Sequence, residues 1–429
     1  MSEITLTYEK IVASLNPQMK GGEDDRVALL NRVLTNLNHP DQKFKIIHIA
    51  GTNGKGSTGK LIAQFLQATG EKVGHFNSPV MVDQREQIQV NGQLISKHDF
   101  VATYQKIKEQ LPSDISPHDL TVFEWWTVIM LQYFADQDVN WAVIECGIGG
   151  QNDATNAIKA PELAVITHVA LDHVKIIGPD LKAIATAKAG IIKSPTKAVI
   201  LAPHQASVVS QVMKYTAAQK QVPLINAESV EINVHETDFK GQTIRFQSNA
   251  FSGTSHFNLL GTFQIDNLKT ALTVADWLVR NGVNLTQHQI KQVITTIQIP
   301  GRMQLIGTDP QQFLDGAHNP DATKRLIQTL NQLSPSKKLV LVLGFLKDKN
   351  VAQMAQMYQA LAAEIIITTP DYPARALSAN ELKVFLPQAT VIEDVNIAFK
   401  KAKQIAGKDG LVVVTGSFYV IKEIEAKVK

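Results

Sequence analysis

Lys45-Ile46-Ile47-His48-Ile49-Ala50-Gly51-Thr52-Asn53-Gly54-Lys55-Gly56-Ser57-Thr58 reads as a buried strand running through a glycine-rich loop into the first turn of a helix. Polyphosphate binds at such a junction: glycines let the backbone approach the anion, and successive N–H groups and the helix dipole point at it. Lys55 adds a mobile cation, and the Ser57 hydroxyl can reach Mg²⁺. The spacing departs from the usual G-x-x-x-x-G-K-[ST], which would place glycine at 49 and Ser or Thr at 56, where Ile49 and Gly56 stand. The competing reading is a glycine turn without chemistry; the strand before, the helix after and the lysine inside argue against it.

Working outward, short apolar runs alternate with amphipathic stretches, the pattern of βαβ units around a mostly parallel sheet, so the class is α/β. The pattern predicts strands at Phe44–Ile49, Lys72–Phe76, Trp141–Glu145, Leu163–Thr167 and Ala198–Leu201, and helices at Ser57–Thr69, Leu120–Ala135 and Leu181–Ile192. Val230–Phe257 alternates apolar and polar residues around Lys240-Gly241 and Ser252-Gly253, which predicts added antiparallel hairpins before a helix at Gln264–Arg280. Beyond Ile299-Pro300-Gly301-Arg302 the rhythm restarts with strands at Phe313-Leu314, Leu339–Leu343, Glu364–Thr368 and Leu411–Thr415. The expected division is therefore a domain over residues 1–299 and a smaller α/β domain over 300–429.

The 429 residues exceed one ordinary core, and 44% hydrophobic with 19% charged residues places the chain among globular proteins. No apolar run approaches a membrane span, and Met1-Ser2-Glu3-Ile4 begins neither a basic nor an apolar leader, so a cytoplasmic protein without membrane contact is expected. A single cysteine, Cys146, excludes an internal disulfide and a zinc site built from several thiolates. The formal charge is +3, with 26 Lys and Arg against 27 Asp and Glu before residue 300 and 16 against 12 after it, so nucleic acid is not signalled as a partner.

Four further blocks bear on chemistry. Trp141-Ala-Val-Ile-Glu145-Cys-Gly-Ile-Gly-Gly150-Gln-Asn152-Asp153-Ala154 sets a carboxylate at the end of a buried strand before glycines, where open α/β sheets bind ligands. A hard cation shared with substrate phosphates takes such a carboxylate. Leu171-Asp172-His173 and Ala185-Thr-Ala-Lys188-Ala-Gly190 follow, and Leu314-Asp315-Gly-Ala-His318-Asn319-Pro320 lies in the second part.

Gly51-Thr-Asn-Gly-Lys-Gly-Ser57 resembles the nucleotide loop of the Mur ligase superfamily, and within it the folylpolyglutamate synthase and dihydrofolate synthase family. Ser78-Pro79, Glu145 to Asn156, Asp172-His173, Lys188, Gly261 to Asn267, Pro300-Gly301-Arg302, Asp315 to Pro320 and Thr415-Gly416-Ser417 follow in the family's order. The resemblance implies a P-loop domain followed by a Rossmann-like ligase domain. It implies ATP bound by Gly51, Thr52, Asn53, Gly54, Lys55, Gly56, Ser57, Asn267, Arg302 and Asp315, with Mg²⁺ held by Ser78, Glu145, His173 and Lys188. In the family that lysine is carbamylated, and a monovalent cation is a further expected cofactor.

Phe123, Glu124, Asn152, Asp153 and Ala154 fall where the family holds folate, and His318 and Ser417 where it holds glutamate; Asp24-Asp25-Arg26-Val27 lies where bifunctional members hold pteroate. Lys55, Glu145, His173, Lys188 and His318 form the implied catalytic set. Val80, Asn152 and Phe263 replace residues common in the family. The implied reaction serves folate biosynthesis and one-carbon metabolism: ATP-dependent addition of L-glutamate to a reduced folyl-glutamate through an acyl phosphate, by a monomer whose domains close on the nucleotide. Dihydropteroate is the alternative acceptor. A Mur-type peptide ligase is disfavoured because 43 residues precede the first strand, and a regulatory GTPase because no Asn-Lys-x-Asp occurs.

Overall fold

The apolar run after Lys45 forms β1 (Lys45–Ala50), buried at every position but the first. Each fully buried isoleucine of this kind contributes about 1.5–3 kcal/mol. The computed structural model describes residues 7–16, 25–333 and 337–428. Among the described residues, two α-helices come before β1, α1 (Tyr8–Ser14) and α2 (Arg26–Asn36), capped by the side chains of Thr7 and Asp25. After the glycine loop, α3 (Lys55–Ala68) leads to β2 (Val73–Phe76), and an antiparallel hairpin of β3 (Ile88–Val90) and β4 (Gln93–Leu94) follows. Next come α4 (Lys97–Glu109), α5 (Val122–Asp136), β5 (Trp141–Glu145), β6 (Leu163–Ile166), α6 (Leu181–Ala189), β7 (Ala198–Leu201), α7 (Ser207–Gln219) and β8 (Leu224–Asn226).

These strands form one sheet in the order β4-β3-β2-β5-β1-β6-β7-β8, in which the run from β2 to β8 is parallel. The chain leaves β1 toward β2 and leaves β6 toward β7, so β1 and β6 are neighbours whose connections diverge. The crevice beyond their carboxyl ends is where a sheet of this kind takes a ligand. Helix α5 is buried from Glu124 to Ala135 and mostly apolar, as a helix inside a core must be, with Glu124, Thr127 and Gln132 as its buried polar residues. Its start is closed by reciprocal bonds between Thr121 and Glu124.

The chain then forms a three-stranded antiparallel sheet from β9 (Glu231–Asp238), β10 (Gly241–Gln247) and β11 (Ser252–Phe257), as its alternation predicts. Helices α8 (Thr262–Arg280) and α9 (Gln287–Thr296) follow. The remainder is β12 (Gln304–Thr308), β13 (Gln311–Leu314), α10 (Pro320–Leu333), β14 (Leu339–Leu343), α11 (Val351–Gln359), β15 (Ala363–Ile367), α12 (Ala379–Leu382), β16 (Thr390–Val391), α13 (Val395–Ala406), β17 (Leu411–Thr415) and α14 (Phe418–Val428). Its sheet runs β12-β13-β17-β14-β15-β16, parallel except for β12.

Two compact units emerge. One holds the chain up to Glu231 with 248–251 and 266–293; the other holds 232–247, 252–265 and the chain from Ile294 on. The hairpin strands thus group with the second unit although they precede residue 300. The reason is packing: the Phe239 ring lies 6.1 Å from Phe313 of β13, with the Lys337 ammonium 5.2 Å above it. Among the described residues no helix is long and apolar enough to cross a membrane.

Candidate active site

In the first unit the loop Gly51–Gly54 leaves β1 at the strand divergence. Its backbone is pinned to the segment after β6: the amides of Thr52 and Asn53 donate to His168 O at 2.8 and 3.1 Å, and Thr52 Oγ1 donates to Ala170 O at 2.9 Å. Gly54 adopts φ +90°, and a Cβ there would lie 2.2 Å from Asn267 Oδ1, so only glycine fits on both counts. Helix α3 starts at the next residue with no side chain capping it, which directs the first-turn amides of Lys55, Gly56 and Ser57 toward an incoming anion. Lys55 Nζ folds back to Gly51 O at 3.1 Å and Thr52 O at 3.5 Å. Asn267 on α8 approaches the same turn, its Oδ1 3.5 Å from Thr58 Oγ1.

Lys188 also reaches this loop. Its Nζ, buried, donates to Gly51 O at 2.8 Å. Burial, and next the charge of Lys55, push its pKa down to about 7. Glu145 is fully buried at the end of β5, and neither carboxylate oxygen has a hydrogen-bond partner among the described residues. Its oxygens lie 3.8 and 3.9 Å from the place a Cβ would take on Gly56, so the carboxylate faces the first turn of α3. An orphaned carboxylate beside a hydroxyl-bearing phosphate loop is a donor set that fits a hard divalent cation.

Ser78 follows β2 at the same end of the sheet, since β2 and β5 pair with Phe76 opposite Ile144. His173, at φ +50°, is drawn to Asp172, with its amide on Oδ1 at 2.8 Å and Nε2 3.9 Å from Oδ2. Among the described residues no group of three or more His, Cys, Asp or Glu side chains is placed to hold a metal; the expected set draws only Glu145 and His173 from those types.

The residues expected to hold folate divide. The Phe123 ring lies 5.8 Å from Phe76, and a Cβ on Gly147 would come within 2.6 Å of it. Asp153 is buried and anchors the same glycine segment: Oδ2 accepts from Ile148 N at 2.8 Å, and Oδ1 from Thr155 N at 3.0 Å and Thr155 Oγ1 at 2.6 Å. Burial raises its pKa. Ala154 is buried and Asn152 is exposed. Glu124, by contrast, is committed within the fold: Arg26 grips it through Nε on Oε1 at 2.8 Å and a terminal nitrogen on Oε2 at 2.6 Å, while Thr121 N also reaches Oε2. Asp25 caps α2 through the Ala28 amide; Asp24 lies outside the described residues.

In the second unit Asp315 follows β13, buried, with its oxygens accepting from Met303 N and Ala317 N at 2.9 Å each. Burial raises its pKa, and Arg302 nearby opposes the shift. The Arg302 guanidinium lies 4.8 Å above the Phe418 ring, and the His318 ring stands 5.8 Å from that same ring. His318 Nδ1 donates to Gly316 O at 2.7 Å. Ser417 is buried and accepts from Tyr419 N at 3.1 Å. Arg302, Asp315, His318 and Ser417, scattered over more than a hundred positions, therefore meet around Phe418 at the carboxyl ends of β13 and β17. The sequence block Thr415-Gly416-Ser417-Phe418-Tyr419 includes this aromatic, but sequence reasoning attaches no role to it. It also missed His75, which faces Glu145.

The family model of the Mur ligase middle domain matches residues 49–275, and that of the Mur ligase glutamate ligase domain matches 301–418. The folylpolyglutamate synthase of Lacticaseibacillus casei is 31% identical over 98% of this chain and 98% of that protein. The dihydrofolate synthase/folylpolyglutamate synthase of Escherichia coli is 31% identical over 88% of this chain and 85% of that protein. Among solved structures, E. coli FolC in complex with DHPP and ADP superposes with a TM-score of 0.86 at 26% identity, over 100% of this chain and 99% of that one. The Yersinia pestis bifunctional enzyme complexed with AMPPNP and Mn ion gives 0.86 at 27% identity, over 100% and 99%. With both family models matched and such relatives along nearly its whole length, the chain belongs to the Mur ligase family, in its folylpolyglutamate synthase/dihydrofolate synthase branch.

Proposed function

We propose that the protein is an ATP-dependent, ADP-forming ligase that adds L-glutamate to the γ-carboxyl of a reduced folyl-glutamate. The observation that carries this reading is the phosphate loop at the strand divergence, with Lys55 and the orphaned Glu145 carboxylate at the same helix start. The first-turn amides and Lys55 bind the ATP phosphates and offset the repulsion between them and the acceptor carboxylate. A carboxylate oxygen of the folate attacks the γ-phosphorus, the bond to ADP breaks, and the amine of glutamate displaces phosphate from the resulting acyl phosphate. Ser57, Ser78, Glu145 and His173 are the residues that would hold Mg²⁺, whose chemistry there is charge neutralisation at the phosphates.

Lys188 is assigned to the same site as a carbamate. Its burial and depressed pKa support that, because only a neutral amine combines with CO₂. Asn267 is assigned to the adenine, Arg302 and Asp315 to the nucleotide, and His318 and Ser417 to glutamate. Phe123 and Asp153, brought to one glycine segment, with Asn152 and Ala154 beside them, are assigned to the pterin. A monovalent cation, a cytoplasmic monomer and independence of nucleic acid belong to the same proposal, as does the division of roles at residue 300, one position before the matched ligase domain.

Dihydropteroate as a further acceptor is the second reading; relatives in Bacillus subtilis and E. coli carry both activities in their names. The test is incorporation of labelled glutamate with ATP and Mg²⁺, offering tetrahydrofolate or dihydropteroate in parallel. Incorporation into neither defeats the proposal.

A further inference from the structure

Strands β2 and β5 run parallel with His75 opposite Val143, so Glu145, two residues further along β5, shares a face with His75. Both side chains are buried, and His75 Nε2 stands 3.4 Å from Glu145 Oε1. Among the described residues, neither imidazole nitrogen and neither carboxylate oxygen has a hydrogen-bond partner. Above them on α3 is Gly59, where a Cβ would lie 3.0 Å from Oε1 and 3.2 Å from Nε2. The missing side chain lets the helix close over the pair and seals it from water.

A carboxylate left alone in such a place is heavily penalised, and so is an imidazole; each is relieved by the other and by a cation on the remaining oxygen. Carboxylates that bind metals are commonly held by an outer donor that fixes their orientation.

We propose that His75 is a positioning residue of the divalent-cation site: its Nε2–H donates to Glu145 Oε1 and turns the carboxylate so that Oε2 is presented to the cation at the phosphate loop. This rests on the assignment of Glu145 to the metal. It adds to it a residue from a neighbouring strand that makes no contact with substrate, and it makes cation affinity depend on the face of β2.

The test titrates Mn²⁺ against the full-length protein with a non-hydrolysable ATP analogue, reading free Mn²⁺ by electron paramagnetic resonance. His75→Leu fills the space without a donor and is expected to weaken Mn²⁺ binding about tenfold or more. Affinity for the analogue without metal should be unchanged. His75→Gln keeps an N–H donor and should recover most of the loss, which a packing role would not predict. Two results overturn the proposal: Mn²⁺ binding as tight in His75→Leu as in wild type, or a spin-echo signature of nitrogen bound directly to Mn²⁺ that persists in His173→Gln and is lost in His75→Gln. Glu145→Gln separates the two levels. If it loses Mn²⁺ while His75→Leu does not, the inference fails alone; if it binds Mn²⁺ like wild type, the metal assignment fails with it.

Discussion

Replacing Lys188 by methionine isolates the electrostatic cost of burying an amine under the phosphate loop. In the unfolded chain a lysine titrates near 10.5, whereas in the folded protein burial and Lys55 hold Lys188 at about 7. Between those values the unfolded chain binds the extra proton, so the contribution of this residue to stability rises with pH across the window. Above about 10.5 neither state is protonated and the penalty is absent; below about 7 both are, and it is complete. At about 1.4 kcal/mol per pH unit the full swing is roughly 5 kcal/mol. The bond from Nζ to Gly51 O is lost in the variant, but it adds an offset rather than a slope. The assay is urea denaturation in CO₂-depleted buffer from pH 7 to 9.5. The stability of wild type minus that of Lys188→Met should climb by about 1 kcal/mol per pH unit. Parallel pH profiles would refute the reasoning. Wild type supplied with ¹³C-bicarbonate should then show a carbamate carbon resonance that the variant lacks.

Gly54→Ala forces an L-residue to φ +90° and drives a methyl into Asn267; about 1–2 kcal/mol of strain should lower the melting temperature, and calorimetry should show ATP binding weakened about tenfold or more. Arg26→Ala strands the buried Glu124 carboxylate and should destabilise by about 3–5 kcal/mol in chemical denaturation, with Glu124→Gln in the same background recovering part of the loss. Asp315→Ala frees the amides of Met303 and Ala317 and should cost about 1–3 kcal/mol, while KM for ATP rises. An unchanged KM would remove Asp315 from the nucleotide site.

Legibility followed locality. The parallel strands were readable because burial on both faces makes them continuous apolar runs, and Trp141–Glu145 and Ala198–Leu201 end where the pattern placed them. The edge hairpin β3–β4 escaped because one strand has three residues and the other two, too short for a periodicity. The hairpins of β9–β11 were legible as strands, but their grouping was not: it depends on Phe239 meeting Phe313, a contact no local pattern encodes.

The site divides in the same way. The phosphate loop and the Glu145 segment carry their chemistry in contiguous residues. Glu124 looked equally available in sequence, and only the approach of Arg26, 98 positions away, shows it engaged. His75 sits in a four-residue buried strand and reads as core; its meaning comes from the register that aligns β2 with β5.

Cys146 follows Glu145 on the buried segment beyond β5, its sulfur 3.3 Å from His48 Nε2. Burial raises its thiol pKa far above neutrality, so it carries almost no thiolate at working pH. With a single cysteine in 429 residues, and that one sealed, the chain is already a background for thiol labelling. One added surface cysteine in each compact unit would accept spin labels or fluorophores without the native residue being removed. The distance between the units could then be followed through a catalytic cycle in an otherwise unaltered protein.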